Sequence, residues 1–279
     1  MKPVQLFKGF FGGSLAGGAD AESAARARND LDIKQIVVKG IPAFRKTLAE
    51  AKRRSGRTDF PWYPYDSLSN FHLLHTFLRG PARNVLSLAG SDPILDVGCA
   101  DGEVAFFLES LGCTVEAIDF PPTSNNGMRG ARTLKTVLGS AVEFHEIDLD
   151  SYFVMPRERY GLALLFGILY HLKNPFYVLE TISKCARYCL LSTRVARVTP
   201  DKRTNFEKLP MAYLLDAHEA NGDATNYWIF SEAGLRRILA RSGWEVEGYT
   251  TTGQTENSDP SHSDADERAF CLLRSRSFV

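Results

Sequence analysis

The sequence predicts an α/β fold, a mostly parallel sheet with helices around it, preceded by a helical extension. Three observations carry this. From Pro93 onward, short apolar runs alternate with helix-periodic segments, the pattern of βαβ units. The first apolar run passes through a turn of small residues straight into a helix. Acidic residues close three successive strands. At 279 residues, 44% of them hydrophobic, the chain suffices for one such domain and an extension.

Taken in order, residues 1–20 read as disordered, and 21–56 as one or two helices with Pro42 near a start and Lys52-Arg53-Arg54 near an end. An aromatic and proline-rich loop follows, Phe60-Pro61-Trp62-Tyr63-Pro64-Tyr65-Asp66, which reads as a hydrophobic strap, the alternative being a cover over an acceptor pocket. A helix then runs from about Leu68 to Leu78, so that residues 1–92 form the extension and 93–279 the main domain. Its first strand is Ile94–Val97. The helix behind has Val104, Phe107, Leu108 and Leu111 on one face, and Gly112 stops it. Strand two is Thr114–Ile118, a helix spans Arg129–Leu138, and strand three is Val142–His145. Strand four is Leu162–Phe166. Asn174-Pro175 opens the next helix, with asparagine as cap. Strand five is Tyr188–Thr193. The segment Arg194–Phe230 interrupts the rhythm as an insertion. Ser231 caps a helix that Gly243 ends, and Trp244–Tyr249 and Ala269–Leu273 are closing strands. The polar stretch Thr251–Asp266 between them reads as a mobile loop or lid.

Composition excludes some partners. Lys plus Arg and Asp plus Glu are 33 each, so the overall charge calls for no polyanion. The first 90 residues carry 14 basic against 7 acidic groups, a balance of +7 that would suit an anion but more often marks solvated helix faces. Cys99, Cys113, Cys185, Cys189 and Cys271 are odd in number and scattered in apolar stretches, which suits core thiols in a reducing cytoplasm. No segment approaches the roughly 20 apolar residues of a membrane span. Met1–Ala19 is apolar, but Lys8 and its glycines argue against a signal peptide. His72 and His75 have H-x-x-H spacing without further ligands, so no metal is expected.

The informative run is Asp96-Val97-Gly98-Cys99-Ala100-Asp101-Gly102-Glu103. A turn of small residues lets the backbone approach a ligand at the helix N-terminus, and such folds bind ligands beyond the carboxyl ends of their strands. The G-x-G-x-x-G of nicotinamide-binding turns is missing, as is the G-x-x-x-x-G-K-[ST] of a P-loop. Asp96 fits poorly beside a pyrophosphate and well beside an ammonium or sulfonium. That favours S-adenosylmethionine (SAM). Asp119, 17 residues after Gly102, would accept ribose hydroxyls, and Asp148 an adenine amino group. Their neighbours Phe120 and Leu149, with Phe166 at the end of strand four, complete the cofactor candidates Asp96, Gly98, Ala100, Gly102, Asp119 and Asp148.

Ile94–Gly102 resembles the SAM-binding motif of class I methyltransferases, D/E-x-G-x-G-x-G, with Ala100 in place of the middle glycine. Asp119 and Asp148 match that family's later acidic positions. The resemblance covers roughly Pro93–Leu273 and implies a Rossmann-like, seven-stranded, mostly parallel sheet whose last strand is antiparallel. The segment Leu169-Tyr170-His171, with Asn226-Tyr227-Trp228 and Thr250-Thr251-Thr252, is similar to the tRNA wobble-uridine carboxymethyltransferases. By that resemblance Tyr170 faces the group being transferred. That family's basic, tryptophan-rich motif for a carboxylated donor is not recognisable, so ordinary SAM and another acceptor are expected.

Methyl transfer from a sulfonium asks chiefly for in-line placement of the acceptor, and a general base helps when the acceptor must lose a proton. Tyr170 and His171 are the catalytic candidates; the alternatives are packing for Tyr170 and a backbone hydrogen bond near the helix start for His171. Arg194 would clamp an anionic acceptor or lie at the surface. Three functions remain: a small-molecule methyltransferase, a tRNA-modifying enzyme using the basic segment, and a non-catalytic SAM-binding module.

Overall fold

The computed structural model describes residues 30–278. Expectations for residues 1–20 and for the start of the 21–56 stretch lie outside the described residues. The chain divides into two compact units, one ending at Ile147 and the other beginning at Asp148.

The first unit opens on a capping box: the Asp32 side chain accepts the Lys34 N–H at 2.7 Å, and the Gln35 side chain accepts the Asp32 N–H at 3.0 Å. An α-helical turn, Ile33–Gln35, and a π-helical turn, Ile36–Gly40, lead into helix α1, Ile41–Ser55. Pro42 therefore lies inside a helical run, and the wider turn before it accommodates the missing donor and bulky ring. Left-handed Gly56 ends α1. Its buried face, Ile41, Phe44, Leu48 and Ala51, follows helical spacing, and Phe44 meets Phe107 with ring centroids 5.4 Å apart. Helix α2 is Asn70–Phe77.

Three parallel strands form the rest of this unit, in the order β3-β2-β1: β1 is Ile94–Val97, β2 Val115–Asp119 and β3 Glu143–Glu146. Helix α3, Glu103–Ser110, links β1 to β2, and α4, Arg129–Leu138, links β2 to β3. All four β1 residues are buried, as an interior parallel strand requires.

In the second unit β4, Tyr160–Phe166, pairs in parallel with β5, Ala186–Val195, across helix α5, Pro175–Cys185. The α5 cap is Asn174, whose side chain accepts the Tyr177 N–H at 3.2 Å. Two short strands follow, β6 (Ala212–Leu214) and β7 (Trp228–Phe230), then helix α6 (Glu232–Arg241), β8 (Trp244–Gly253) and β9 (Glu267–Ser275). Strand β9 runs antiparallel to β5, and β8 antiparallel to β9.

The architecture is the expected Rossmann-like α/β fold, with nine strands among the described residues rather than seven. The extra two lie inside Arg194–Phe230: β6 and β7 form an antiparallel hairpin, and β7 touches β5 at Val195. Three-residue strands leave too little alternation to read from sequence.

The expectation of a mobile 251–266 loop is corrected. Strand β8 runs on to Gly253, and the connection that remains, 254–266, is tied down. Ser258 and Asp259 are fully buried. The Ser258 carbonyl accepts the Arg197 and Val198 N–H groups at 2.9 and 3.0 Å, and the Ser258 hydroxyl donates to Glu267 at 2.7 Å. Polar residues that satisfy one another inside the protein look, in sequence, like residues that face water.

Candidate functional site

In the first unit the small-residue turn leaves β1 with alternating left-handed backbone, φ being +75° at Gly98, +50° at Ala100 and +77° at Gly102. A Cβ at Gly102 would lie 2.9 Å from the rings of Phe106 and Phe144, so this position admits only glycine. The Gly98 N–H donates to the Ile118 carbonyl at 2.9 Å, which fastens the turn to β2. Asp119 fastens it again. One carboxylate oxygen accepts the Ala100 N–H and the other the Phe120 N–H, each at 2.7 Å.

Asp96, Gly98, Ala100, Gly102, Asp119 and Phe120 are therefore brought together at the ends of β1 and β2. The electrostatics are unusual. Asp96 is buried, and its Oδ2 has no hydrogen-bond partner among the described residues. Burial, then repulsion from Asp119, pushes its pKa up to about 7 despite a bond from the Ala105 N–H. Burial also raises Asp119 to about 6, against the two backbone bonds that favour its charge. Among the described residues no cation pairs with these two carboxylates, one buried and one half-buried, and a nucleoside carrying an ammonium and a sulfonium suits them.

Asp148 and Leu149 open the second unit. Asp148 accepts the Asp150 N–H at 2.9 Å, and Asp150 in turn accepts the Lys173 N–H at 2.7 Å, tying this turn to the segment after β4. Phe166 ends β4. Tyr170 and His171 lie on a 3-10 turn, Leu169–His171. The Tyr170 carbonyl accepts the Tyr227 N–H at 2.8 Å, so the Leu-Tyr-His and Asn-Tyr-Trp segments, 57 residues apart, are bonded neighbours.

His171 Nδ1 is 3.1 Å from the Thr225 carbonyl and 3.0 Å from its hydroxyl, and that hydroxyl donates to Asp223 at 2.6 Å. A carbonyl can only accept, so the proton sits on Nδ1 and the Nε2 lone pair remains basic. Burial lowers the His171 pKa, with Thr225 and Asp223 opposing, so the ring is neutral near pH 7. Its backbone partner belongs to the 194–230 segment rather than to the start of a helix.

Several site residues were not legible in the sequence. Asp101, inside the turn, binds the strap through the Tyr63 N–H at 2.7 Å. Arg268, at the start of β9, lies 5.7 Å from the Tyr170 ring centroid. Its Nη1 and the Tyr170 hydroxyl approach the α-carbon of Gly167, at 3.4 and 3.3 Å from where a Cβ would stand. Arg268 belongs to no motif, and Asp101 sits in one without being marked by it. Arg194 is corrected: its side chain is buried within the second unit, paired with Asp266 at 2.5 Å and bonded to the carbonyls of Asp259 and His262. It clamps no acceptor. His75 Nδ1 lies 2.5 Å from the His72 carbonyl, a bond within one helix turn.

A family model described as "Methyltransferase domain" matches residues 72–248, more than half of the chain. No curated protein matches the sequence. Among solved structures, the N-terminal domain of EvdMO1 with SAH bound superposes with a TM-score of 0.50 at 17% identity, over 83% of this chain and 96% of that one. The same domain, crystallised in the presence of SAH and D-fucose, gives 0.52 at 16%, over 83% and 97%. At such identities these likenesses speak to the fold alone.

Proposed function

The chain belongs to the methyltransferase-domain family as a class I SAM-dependent methyltransferase, and on that premise we propose that it methylates a small molecule whose acceptor group must shed a proton. SAM supplies a methyl already activated on a sulfonium, so the chain's own residues bind, orient and deprotonate. In this reading Asp96 faces the cationic end of the cofactor, Gly98, Ala100 and Gly102 give it a close backbone, and Asp119 accepts the ribose hydroxyls beside Phe120. Asp148 and Leu149 are the candidates for the adenine, and Phe166 is a further cofactor candidate. Tyr170 borders the acceptor, and His171 Nε2 takes its proton, with Thr225 and Asp223 fixing the tautomer.

One observation supports this most: the buried Asp96 Oδ2, without a hydrogen-bond partner among the described residues, beside the half-buried carboxylate of Asp119, an arrangement that costs stability until a cation arrives. Calorimetry with SAM tests it. Asp119→Ala should weaken binding about tenfold or more, the worth of a lost charge-assisted bond; unchanged affinity removes Asp119 from the site. His171→Ala should lower turnover more than SAM affinity, and equal losses in both would deny it an acceptor-side role.

Arg45, Arg53, Arg57 and Arg83 pair with Asp66, Glu50, Asp59 and Asp32, acids already counted in the +7 balance, so only the Lys52–Glu103 pair draws on it. The second reading, a tRNA wobble-uridine enzyme, draws on the bonded Leu-Tyr-His and Asn-Tyr-Trp segments and on Arg268 beside Tyr170, a cation suited to a carboxylated donor. It requires tRNA binding that weakens steeply with salt, about one log-log unit per phosphate contact. The buried, free cysteines suit a cytoplasmic setting, and among the described residues no helix is long and apolar enough to cross a membrane.

A further inference from the structure

We propose that Asp101 is a positioning residue that locks the aromatic strap Phe60–Asp66 onto the nucleotide turn, making the strap a wall of the cofactor site whose order depends on occupancy. The proposal rests on the placement of SAM at that turn.

Asp101 lies between Ala100 and Gly102, the two positions where the backbone comes closest to a ligand in this reading, yet it is only 1% exposed. A carboxylate so buried needs donors, and both come from elsewhere in the unit. Its Oδ2 accepts the Tyr63 N–H from the strap at 2.7 Å. Its Oδ1 accepts from Asn126 Nδ2 at 2.7 Å, in the loop between β2 and α4. Asn126 closes the circuit, since the same amide nitrogen reaches the Pro61 carbonyl of the strap at 3.1 Å and its oxygen accepts the Gly130 N–H at 3.1 Å. The packing around this circuit admits no substitute. A Cβ on Gly130 would run into the Asp101 carboxylate.

The flanks of the strap are held by cations. Arg129 lies 5.1 Å from the Phe60 ring centroid and donates to the Asp59 carbonyl at 3.4 Å. Lys52 lies 5.2 Å from the Trp62 ring centroid while paired to Glu103, the first residue of α3, at 2.7 Å. Asp66 pairs with Arg45 of α1. The Asp101 circuit bonds the strap directly to the turn itself. Trp62 and Tyr63 are half-buried and Tyr65 is 67% exposed, so the strap still offers ring surface that a ligand could cover. A turn that shifts on binding a nucleoside moves the strap with it, because both hang on one carboxylate.

The test follows Trp62, with Trp62→Phe identifying its share of the fluorescence, and acrylamide quenching with and without SAM in four proteins: wild type, Trp62→Phe, Asp101→Ala and the double variant Asp101→Asn, Asn126→Asp. The double variant keeps one negative charge in the circuit, an acceptor for the Tyr63 N–H and a bond between positions 101 and 126, and gives up the bond from position 126 to the Pro61 carbonyl. SAM should shield Trp62 in the wild type and the double variant and not in Asp101→Ala, whose SAM Kd should rise about ten- to a hundredfold. A purely structural role would lower melting temperature in Asp101→Ala while leaving the shielding intact. Equal shielding in Asp101→Ala, or a folded double variant that behaves like Asp101→Ala, overturns the proposal; so does a wild-type Trp62 indifferent to SAM that calorimetry shows to be bound. A wild-type chain that binds no SAM at all defeats instead the reading on which this one stands.

Discussion

At Ala100 the sequence and the backbone disagree. The φ of +50° belongs to glycine, and a Cβ there costs about 1–2 kcal/mol. Ala100→Gly removes that strain but frees the unfolded chain by about 0.4–1 kcal/mol, so the balance favours the folded state by up to about 1 kcal/mol. The expected result is a melting temperature raised by about 2–3 °C with SAM affinity retained. A lower melting temperature would mean that the methyl group fills space the backbone value does not reveal. The same residue shows what is legible at this scale. Asp96 and Asp119 could be picked out because each closes an apolar run, which is a property of local sequence. Asp101 stood in the same motif and gave no signal, because its role depends on Tyr63 and Asn126, 38 and 25 residues away. Arg194 misled for the same reason: a cation just after a strand looks available until the chain that buries it, 65 residues on, is in place.

Helices and long strands were legible because their signals are periodic and their caps local, as with Asn174 before α5 and Ser231, whose side chain accepts the Gly234 N–H at 2.8 Å. The hairpin β6–β7 and the 254–266 connection were not, since both are held by non-local polar bonds. Asp259 shows how such an element is held. Burial disfavours its charge, but Lys202, His262 and the Ser261 and His262 N–H groups hold its pKa down to about 2. Asp259→Ala removes the charged partner of Lys202, which keeps the Asn257 carbonyl, and the acceptor of two N–H groups, at a cost of about 2–3 kcal/mol. Hydrogen exchange should then quicken in 254–266 and at the Arg197 and Val198 amides, which donate to the neighbouring Ser258 carbonyl. If exchange there stays as in the wild type, the Asp259 contacts are incidental and the strand ends alone hold the connection.

For the molecule as a whole, the ligand site and the stability of the chain should be linked through pH. Asp96 and Asp119, with pKa values raised to about 7 and 6 from 3.8, bind protons in the folded state that the unfolded chain has already released. Glu103 is shifted the same way, by burial, against its partner Lys52. Each such group stabilises the fold fully below its unfolded pKa, and that contribution is lost as pH rises through the folded value. The window therefore runs from about pH 4 to about pH 7. Two groups oppose it. His171, lowered by burial, costs stability as pH falls through its folded pKa, and Asp259 does so only near its own value of about 2. Between pH 7.5 and 5.5 the two carboxylates at the turn, Asp96 and Asp119, outweigh one histidine, so the protein without cofactor should melt at a higher temperature at pH 5.5 than at 7.5. SAM should reverse the order. Its cationic groups favour ionised Asp96, so binding is strongest where that carboxylate is charged and weakens as pH falls through 7. Thermal melts at the two pH values, each with and without saturating SAM, check both signs at once. Stabilisation by SAM that is the same at pH 5.5 and 7.5 would mean that the buried acids at the turn are not what the cofactor meets.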